Sequence, residues 1–261
     1  MPDRDTLIRP LIRLGDIRAA LGLLTRLPLR LSEVDLARGA AAAWAYPLAG
    51  LVVGILAALV ALGAGWLGLT PAISAGLALA SMVIVTGALH EDGLADSADG
   101  LWGGWDPVRR LEIMKDSHIG SYGVIALILS LGVRWLALAS LAGQSGPGSL
   151  ITALVLGATL SRAPMVVVMS ALPHARRGGL SVRVGRPHRA SAALAVAVAC
   201  AVGLVFLGLA LAWVIVVLTV TTFAIVLIAR AKINGQTGDI LGATQQISEV
   251  AILCTLVSIA G

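Results

Sequence analysis

Long apolar runs, parted by short polar stretches, organise this chain. Apolar positions dominate about 40–66, 72–89, 121–142, 150–172, 190–229 and 241–260. A helix needs about 20 apolar residues to cross a bilayer, and the run at 190–229 is long enough to do so twice. The expected fold is therefore all-α, a polytopic membrane helix bundle of about seven spans, with a tight break near Gly208 inside 190–229. Pro47 lies in the first third of its run and predicts a kink. Gly65, Gly68 and Pro71 form one turn, and Gln144 to Ser149 form an uncharged second. Ahead of the spans, Leu7, Ile8, Leu11, Ile12, Ile17, Leu21 and Leu24 fit a helical stripe, with Arg9, Arg13 and Arg18 on other faces. This predicts an amphipathic helix on the membrane surface, ended by Pro28. The same stripe also suits a helix packed against the bundle. The chain divides into an amphipathic arm, 1–38, and a membrane domain, 39–261. The arm has no uninterrupted apolar run, so it is not read as a cleaved signal peptide.

Composition agrees. Only 13% of residues are charged, against about 25% in soluble domains, and the length leaves no room for a separate soluble domain. Cys200 and Cys254 both lie in apolar runs without a CxxC, which excludes a disulfide or zinc framework and leaves them as small packing residues. The net charge of +5 does not point to nucleic acid, because the basic residues sit beside spans, where positive charge sets orientation. The arm and the loops at 90–119, 173–189 and 230–240 hold every Lys and Arg except Arg134 and Arg162. The opposite loops hold none. Those four segments are expected together on the cytoplasmic face.

Acid is distributed unevenly. Half of the 14 Asp and Glu residues fall between 91 and 116, in His90-Glu91-Asp92-Gly93-Leu94-Ala95-Asp96-Ser97-Ala98-Asp99-Gly100 and just beyond it. If Gly93 does not break the helix, Asp92, Asp96 and Asp99 share a face at i, i+4 and i+7. Crowded carboxylates raise one another's pKa unless a cation sits among them, and a hard divalent ion suits oxygen ligands. Glu91, Asp92, Asp96 and Asp99 are the expected ligands of Mg²⁺, which shares its remaining positions with water and substrate phosphates. The plain alternative is a solvated acidic loop. Gly, Ala, Ser and Leu between the acids, in place of Lys and Glu, weigh against it.

An acidic array beside an arginine-rich loop suggests phosphate chemistry. Positive charge in that loop also follows from topology alone, and His174 and His188 read as loop residues. Arg134 and Arg162 lie inside spans, where an ionised group usually faces a polar interior. Both are expected to face the carboxylate cavity and bind substrate, with Glu249 able to pair with either. In a second polar cluster, Lys115 is placed to contact phosphate and Asp116 to complete the metal shell. With Asp92, Asp96 and Asp99 these make the candidate catalytic set.

Taken together these residues resemble the cobalamin synthase family, the adenosylcobinamide-GDP ribazoletransferases. The resemblance rests on Leu89 to Gly100, on Leu111-Glu112-Ile113-Met114-Lys115-Asp116-Ser117-His118-Ile119-Gly120-Ser121-Tyr122-Gly123, and on Asn234-Gly235-Gln236-Thr237-Gly238-Asp239 with Leu241-Gly242-Ala243. Leu24-Thr25-Arg26-Leu27-Pro28 and Tyr46-Pro47-Leu48-Ala49-Gly50 resemble the family's opening. Ser97 stands where the family more often has Thr. The resemblance implies an inner-membrane enzyme that joins adenosylcobinamide-GDP to α-ribazole, or its 5′-phosphate, and releases GMP with Mg²⁺. It adds His90, Asn234 and Asp239 to the candidate substrate-binding positions. Rival readings fit less well. A CDP-alcohol phosphotransferase pattern fails because Ala95 is followed by Asp96. A prenyltransferase needs two separate acidic helices, and a transporter needs midspan acids in several helices or an inverted repeat.

The topology has a direct test. A reporter fused after Gly146 is expected to read outside the cell and one after Gly179 inside. An inside signal at Gly146 would overturn both the seven-span arrangement and the shared face.

Overall fold

A computed structural model describes residues 11–260. Among them every regular element is a helix, and a single isolated bridge pairs His174 with Gln236. In order they are α1 (Gly15–Leu24), α2 (Glu33–Leu36), a 3-10 stretch (Gly39–Ala45), α3 (Tyr46–Trp66), α4 (Pro71–Thr86), α5 (Leu89–Gly103), α6 (Pro107–Ile113), α7 (Ser121–Ser145), α8 (Pro147–Leu160), α9 (Arg162–Ala171), α10 (Leu180–Val184), α11 (Arg189–Leu207), α12 (Leu211–Ile233) and α13 (Gly238–Ala260). The protein is a polytopic helical membrane protein. Five stretches are long and apolar enough to span, or six if the bent pair α4–α5 is taken as one. The expected seven counts the limbs of Arg189–Ile233 separately. Those limbs do fold back on each other: Gly208 takes φ +52°, and a Cβ at Gly203 would lie 2.6 Å from Leu211 Cδ1. Eight residues along a continuous helix would be about 12 Å apart.

Small residues bring the spans close. In α3, Gly50 and Gly54 are one turn apart and face α8. A Cβ at Gly50 would collide with the Ala158 carbonyl, and one at Gly54 would lie 2.7 Å from Val155 Cα. Lipid gives helices no hydrophobic reason to associate, so such close backbone contact does much of the holding. A core around Val53, Ala57, Ala78, Leu138, Leu154 and Leu253 fills one part of the bundle. A second core, around Trp44, Met165, Met169, Ala195, Ile233 and Leu241, lies under the polar segments.

Three expectations are corrected. Pro47 does not kink a helix: the chain runs as a 3-10 stretch to Ala45, and Pro47 stands in the first turn of α3, where its missing N–H costs nothing. The run at 72–89 is not straight. Gly87 and Ala88 are both left-handed (φ +63° and +56°), and α5 leaves α4 at 86°. The fourth span holds as one stretch, Pro147–Ala171, with a one-residue break at Ser161 between α8 and α9. The N-terminal helix begins at Gly15 and ends at Leu24, ahead of Pro28. Leu7 and Ile8 lie outside the described residues, and Leu11 and Ile12 are exposed before the helix starts. The helix packs on the bundle through Ala20 and Leu24. Its Asp16 is buried, paired with Arg38 at 2.6 Å and accepting from Trp44 Nε1 at 2.7 Å. Burial acts to raise the Asp16 pKa, but the bonds from Arg38 and Trp44 outweigh it and hold the carboxyl below its usual range.

Between the two cores lies a closed polar cluster. Arg134, 1% exposed, pairs with Glu91 at 3.1 Å and Glu249 at 3.0 Å and donates to Gln246 Oε1 at 2.6 Å. Gln246 Nε2 donates to Glu91 at 3.0 Å, and Gln245 Nε2 reaches Ser161 at 2.9 Å. Arg162 is equally buried and donates to the Ala158 carbonyl. The cluster ties α5, α7 and α13 together, with Gln245 reaching Ser161 at the junction of α8 and α9.

Arg134→Leu strands Glu91 and Glu249 in a low-dielectric interior. Breaking a buried pair in this way costs about 3–5 kcal/mol. A marked fall in melting temperature in detergent is expected, whereas the exposed Arg177→Ala should melt as wild type does. Equal melting of the two variants would remove Arg134 as the organising charge.

Candidate functional site

The cavity that collects the expected chemistry opens where α5 begins and has a volume of about 270 Å³. Four segments that the sequence placed on one face meet around it. Leu24 comes from α1, Tyr46 from α3, His90 and Asp92 from α5, Arg176 from the arginine loop and Asp239 from α13. Gly93 is the reason α5 and α13 can meet here. A Cβ on it would lie 2.9 Å from the Asp239 carbonyl and 3.0 Å from Gly242 Cα. Gly93 does not break the helix, so Asp92 and Asp96 share the expected face.

Asp92 is exposed to the cavity and Asp96 is half-buried. Burial first, then the charges of Asp92, Asp239 and Asp99, push the Asp96 pKa up to about 7. That is the crowding a cation relieves. Opposite, Arg176 Nη2 lies 3.1 Å from Asp239 Oδ2. Thr237 starts α13 by accepting from the Ile240 N–H at 3.2 Å. The connector is held to the arginine loop by two backbone bonds, Gln236 N to Pro173 O at 2.8 Å and Ala175 N to Gln236 O at 2.9 Å, and by Gln236 Nε2 against His174 Nδ1 at 2.9 Å. His90 is 2% exposed, and its Nε2 finds no partner among the described residues.

Other expected residues are elsewhere. Glu91 turns away to Arg134, and Asp99 accepts from the Gly120 and Gly123 N–H groups at 2.7 and 2.9 Å, capping α7. Arg134 and Arg162 do not line the cavity. A cation in a span finds its counterion inside the bundle, and here that is Glu91 and Glu249. Lys115 is exposed, and Asp116 is spent on a local turn with His118, 2.7 Å from its Nδ1. Asn234 is an exposed left-handed residue (φ +55°) that ends α12. The sequence had not singled out Arg176, which it did not distinguish from its neighbour Arg177, nor Gln236 and Tyr46, which stood only as members of quoted motifs.

Among the described residues no three His, Cys, Asp or Glu side chains converge tightly enough to hold a metal alone. The donors that face the cavity are carboxylates. This set suits Mg²⁺, which is typically bound by one or two carboxylates with water and substrate phosphates, and not by an all-protein cage.

A family model described as cobalamin-5-phosphate synthase matches residues 16–257. The chain is 47% identical over 243 residues to an adenosylcobinamide-GDP ribazoletransferase of Bradyrhizobium diazoefficiens, covering 92% of each. It is 40% identical over 254 residues to the protein of that name from Brucella canis, covering 94% of this chain and 96% of that one. The relative from Brucella anthropi is 41% identical over 254 residues. No solved structure matches.

A bound ion stabilises the folded state by about 2.7 kcal/mol at a hundredfold excess over its Kd. Mg²⁺ is therefore expected to raise the melting temperature of the wild type. The rise should vanish in Asp92→Asn and Asp96→Asn and persist in Lys115→Ala and Asp116→Asn. An undiminished rise in both aspartate variants would exclude this cavity as the metal site.

Proposed function

The chain belongs to the cobalamin-5-phosphate synthase family, and from that membership we propose that it joins adenosylcobinamide-GDP to α-ribazole, or its 5′-phosphate, releasing GMP in the last step of nucleotide-loop assembly. The observation that carries this reading is the convergence of Asp92, Asp239, Arg176 and His90 on one cavity. A diphosphate needs both cation ligands and a fixed guanidinium, and this is the place where the chain offers them together.

In the proposed reaction a ribazole hydroxyl attacks the phosphorus nearer the cobinamide. The bond from that phosphorus to the bridging oxygen breaks, the hydroxyl proton is lost, and GMP departs with the bridging oxygen. Asp92 and Asp96, with Asp239 opposite, would hold Mg²⁺, which when bound would neutralise the diphosphate and the departing phosphate. Arg176 supplies the planar guanidinium that grips phosphate oxygens, exchanging part of its pairing with Asp239 for the substrate. His90 Nε2 is available to a polar group of the bound substrate. The buried arginines hold α5 in place and do not touch substrate.

This reading puts the cavity on the cytoplasmic face of the inner membrane, with 1–38 as the amphipathic arm and 39–261 as the transferase domain. The Lys and Arg residues gathered in the loops at 90–119, 173–189 and 230–240 support that side.

The test is GMP and cobalamin formation by purified protein in detergent with adenosylcobinamide-GDP, α-ribazole and Mg²⁺. Equal amounts of the two products are expected. Arg176→Ala and Asp92→Asn should each lower the rate a hundredfold or more, in line with losing about 3 kcal/mol of transition-state stabilisation. No GMP under these conditions would refute the assignment.

A further inference from the structure

Next to the carboxylate cavity lies a second chamber of about 290 Å³, between α1, α2, the 3-10 stretch and α10. The two chambers share the side chains of Leu23, Tyr46, Leu180 and Val184 as a common wall. The first is polar at its far end. The second is a mostly apolar slot whose charged groups are the Asp35 carboxylate and the Arg183 guanidinium.

Asp35 is 4% exposed. It caps α2, with Oδ2 accepting from the Ser32 N–H at 3.1 Å. Among the described residues its other oxygen is paired with Arg18 at 3.5 Å, whose side chain is 61% exposed. Hydrogen bonds from the Ser32 backbone and side chain hold this carboxyl below its usual range, so it is an anion at neutral pH. An apolar slot with a buried carboxylate inside is an unusual pairing, and it suits a planar ring that carries N–H donors on one edge.

We propose that this chamber is the subsite for the guanine base of the leaving nucleotide, gripped at its N1–H and N2–H₂ edge by Asp35 and packed between Leu180 and the α1 wall. This rests on the transferase reading above, which brings a GDP moiety to the neighbouring cavity. The two aromatic bases in that reaction differ in the needed respect. Guanine offers donors that a carboxylate accepts. The base of ribazole, bonded to its sugar through nitrogen, has no N–H and would leave Asp35 buried against an apolar edge. A site built to pair with particular donors rejects analogues that lack them far more strongly than an apolar pocket does.

The experiment uses the full-length protein in detergent with Mg²⁺ and GMP, AMP and XMP as inhibitors of turnover, together with 8-azido-GMP as a photolabel. Wild type should be inhibited by GMP at least tenfold more tightly than by AMP or XMP. Asp35→Asn keeps the oxygen that caps α2. It should lose at least tenfold in GMP inhibition and reverse the preference towards XMP, because the carboxamide now donates to the 2-oxo group. In the wild type, 8-azido-GMP should label peptides from 31–42 or 180–184. Unchanged GMP inhibition in Asp35→Asn, or labelling confined to other segments, would overturn the subsite. If the variant does not fold, the wild-type labelling decides. Labelling in the chamber by a protein that releases no GMP would sink the transferase reading and leave the guanine subsite standing.

Discussion

Arg134 holds a full positive charge at a depth where only protein can answer it, and three helices, α5, α7 and α13, meet around that requirement. An unpaired ion inside a membrane bundle is expensive enough to be rare. Glu91 reaches it from α5 and Glu249 from α13, with Gln246 bridging. The pairing does more than neutralise. Successive helical residues are turned about 100° from each other, so once Glu91 points at Arg134, Asp92 must point elsewhere, and it faces the cavity. The direction in which Asp92 faces is thus set by its neighbour Glu91, which points away from the cavity.

Two further contacts fix what the ion pair leaves free. Gly93 and Gly242 let the backbones of α5 and α13 touch, which brings Asp239 opposite Asp92. At the other end of α5, Asp99 takes the N–H groups that begin α7. There is no room there for substitution, since a Cβ on Gly120 would fall 2.5 Å from Asp99 Oδ1. The acidic helix is held along its length by interactions of three kinds: ion pair, backbone contact and cap.

Much of the fold was legible in the sequence because span length and charge bias act locally. The hairpin at Gly208 and the helical continuity through Gly93 follow from run length and spacing. The shared helical face of Asp92 and Asp96 follows from their spacing, whereas Asp239 was carried by its place in a motif. The bend at Gly87 and Ala88 was not legible, because an Ala gives no sign that it will adopt a left-handed conformation. Arg134, Arg162, Glu91 and Asp99 were expected at the cavity, and the structure turns them elsewhere: Arg134 pairs with Glu91 and Glu249, Arg162 meets a backbone carbonyl and Asp99 caps α7. Lys115, Asp116 and Asn234 were carried by their place in motifs, and the fold leaves them at exposed turns. Arg176 stood among five arginines in one loop, and only the approach of Asp239 across sixty residues of chain separates it from the rest.

The ion cluster also has a history within each molecule. Its members lie at 91, 134 and 249, so synthesis delivers them to the membrane in that order. When α7 is threaded in, Glu91 is already present, but Glu249 belongs to α13 and arrives later. For most of its assembly the half-built bundle holds Arg134 with one counterion, and Arg162 beside it without the nearest acidic helix. The cluster is therefore complete electrically only once α13 is in place. A molecule that lacks α13 leaves Arg134 with Glu91 alone.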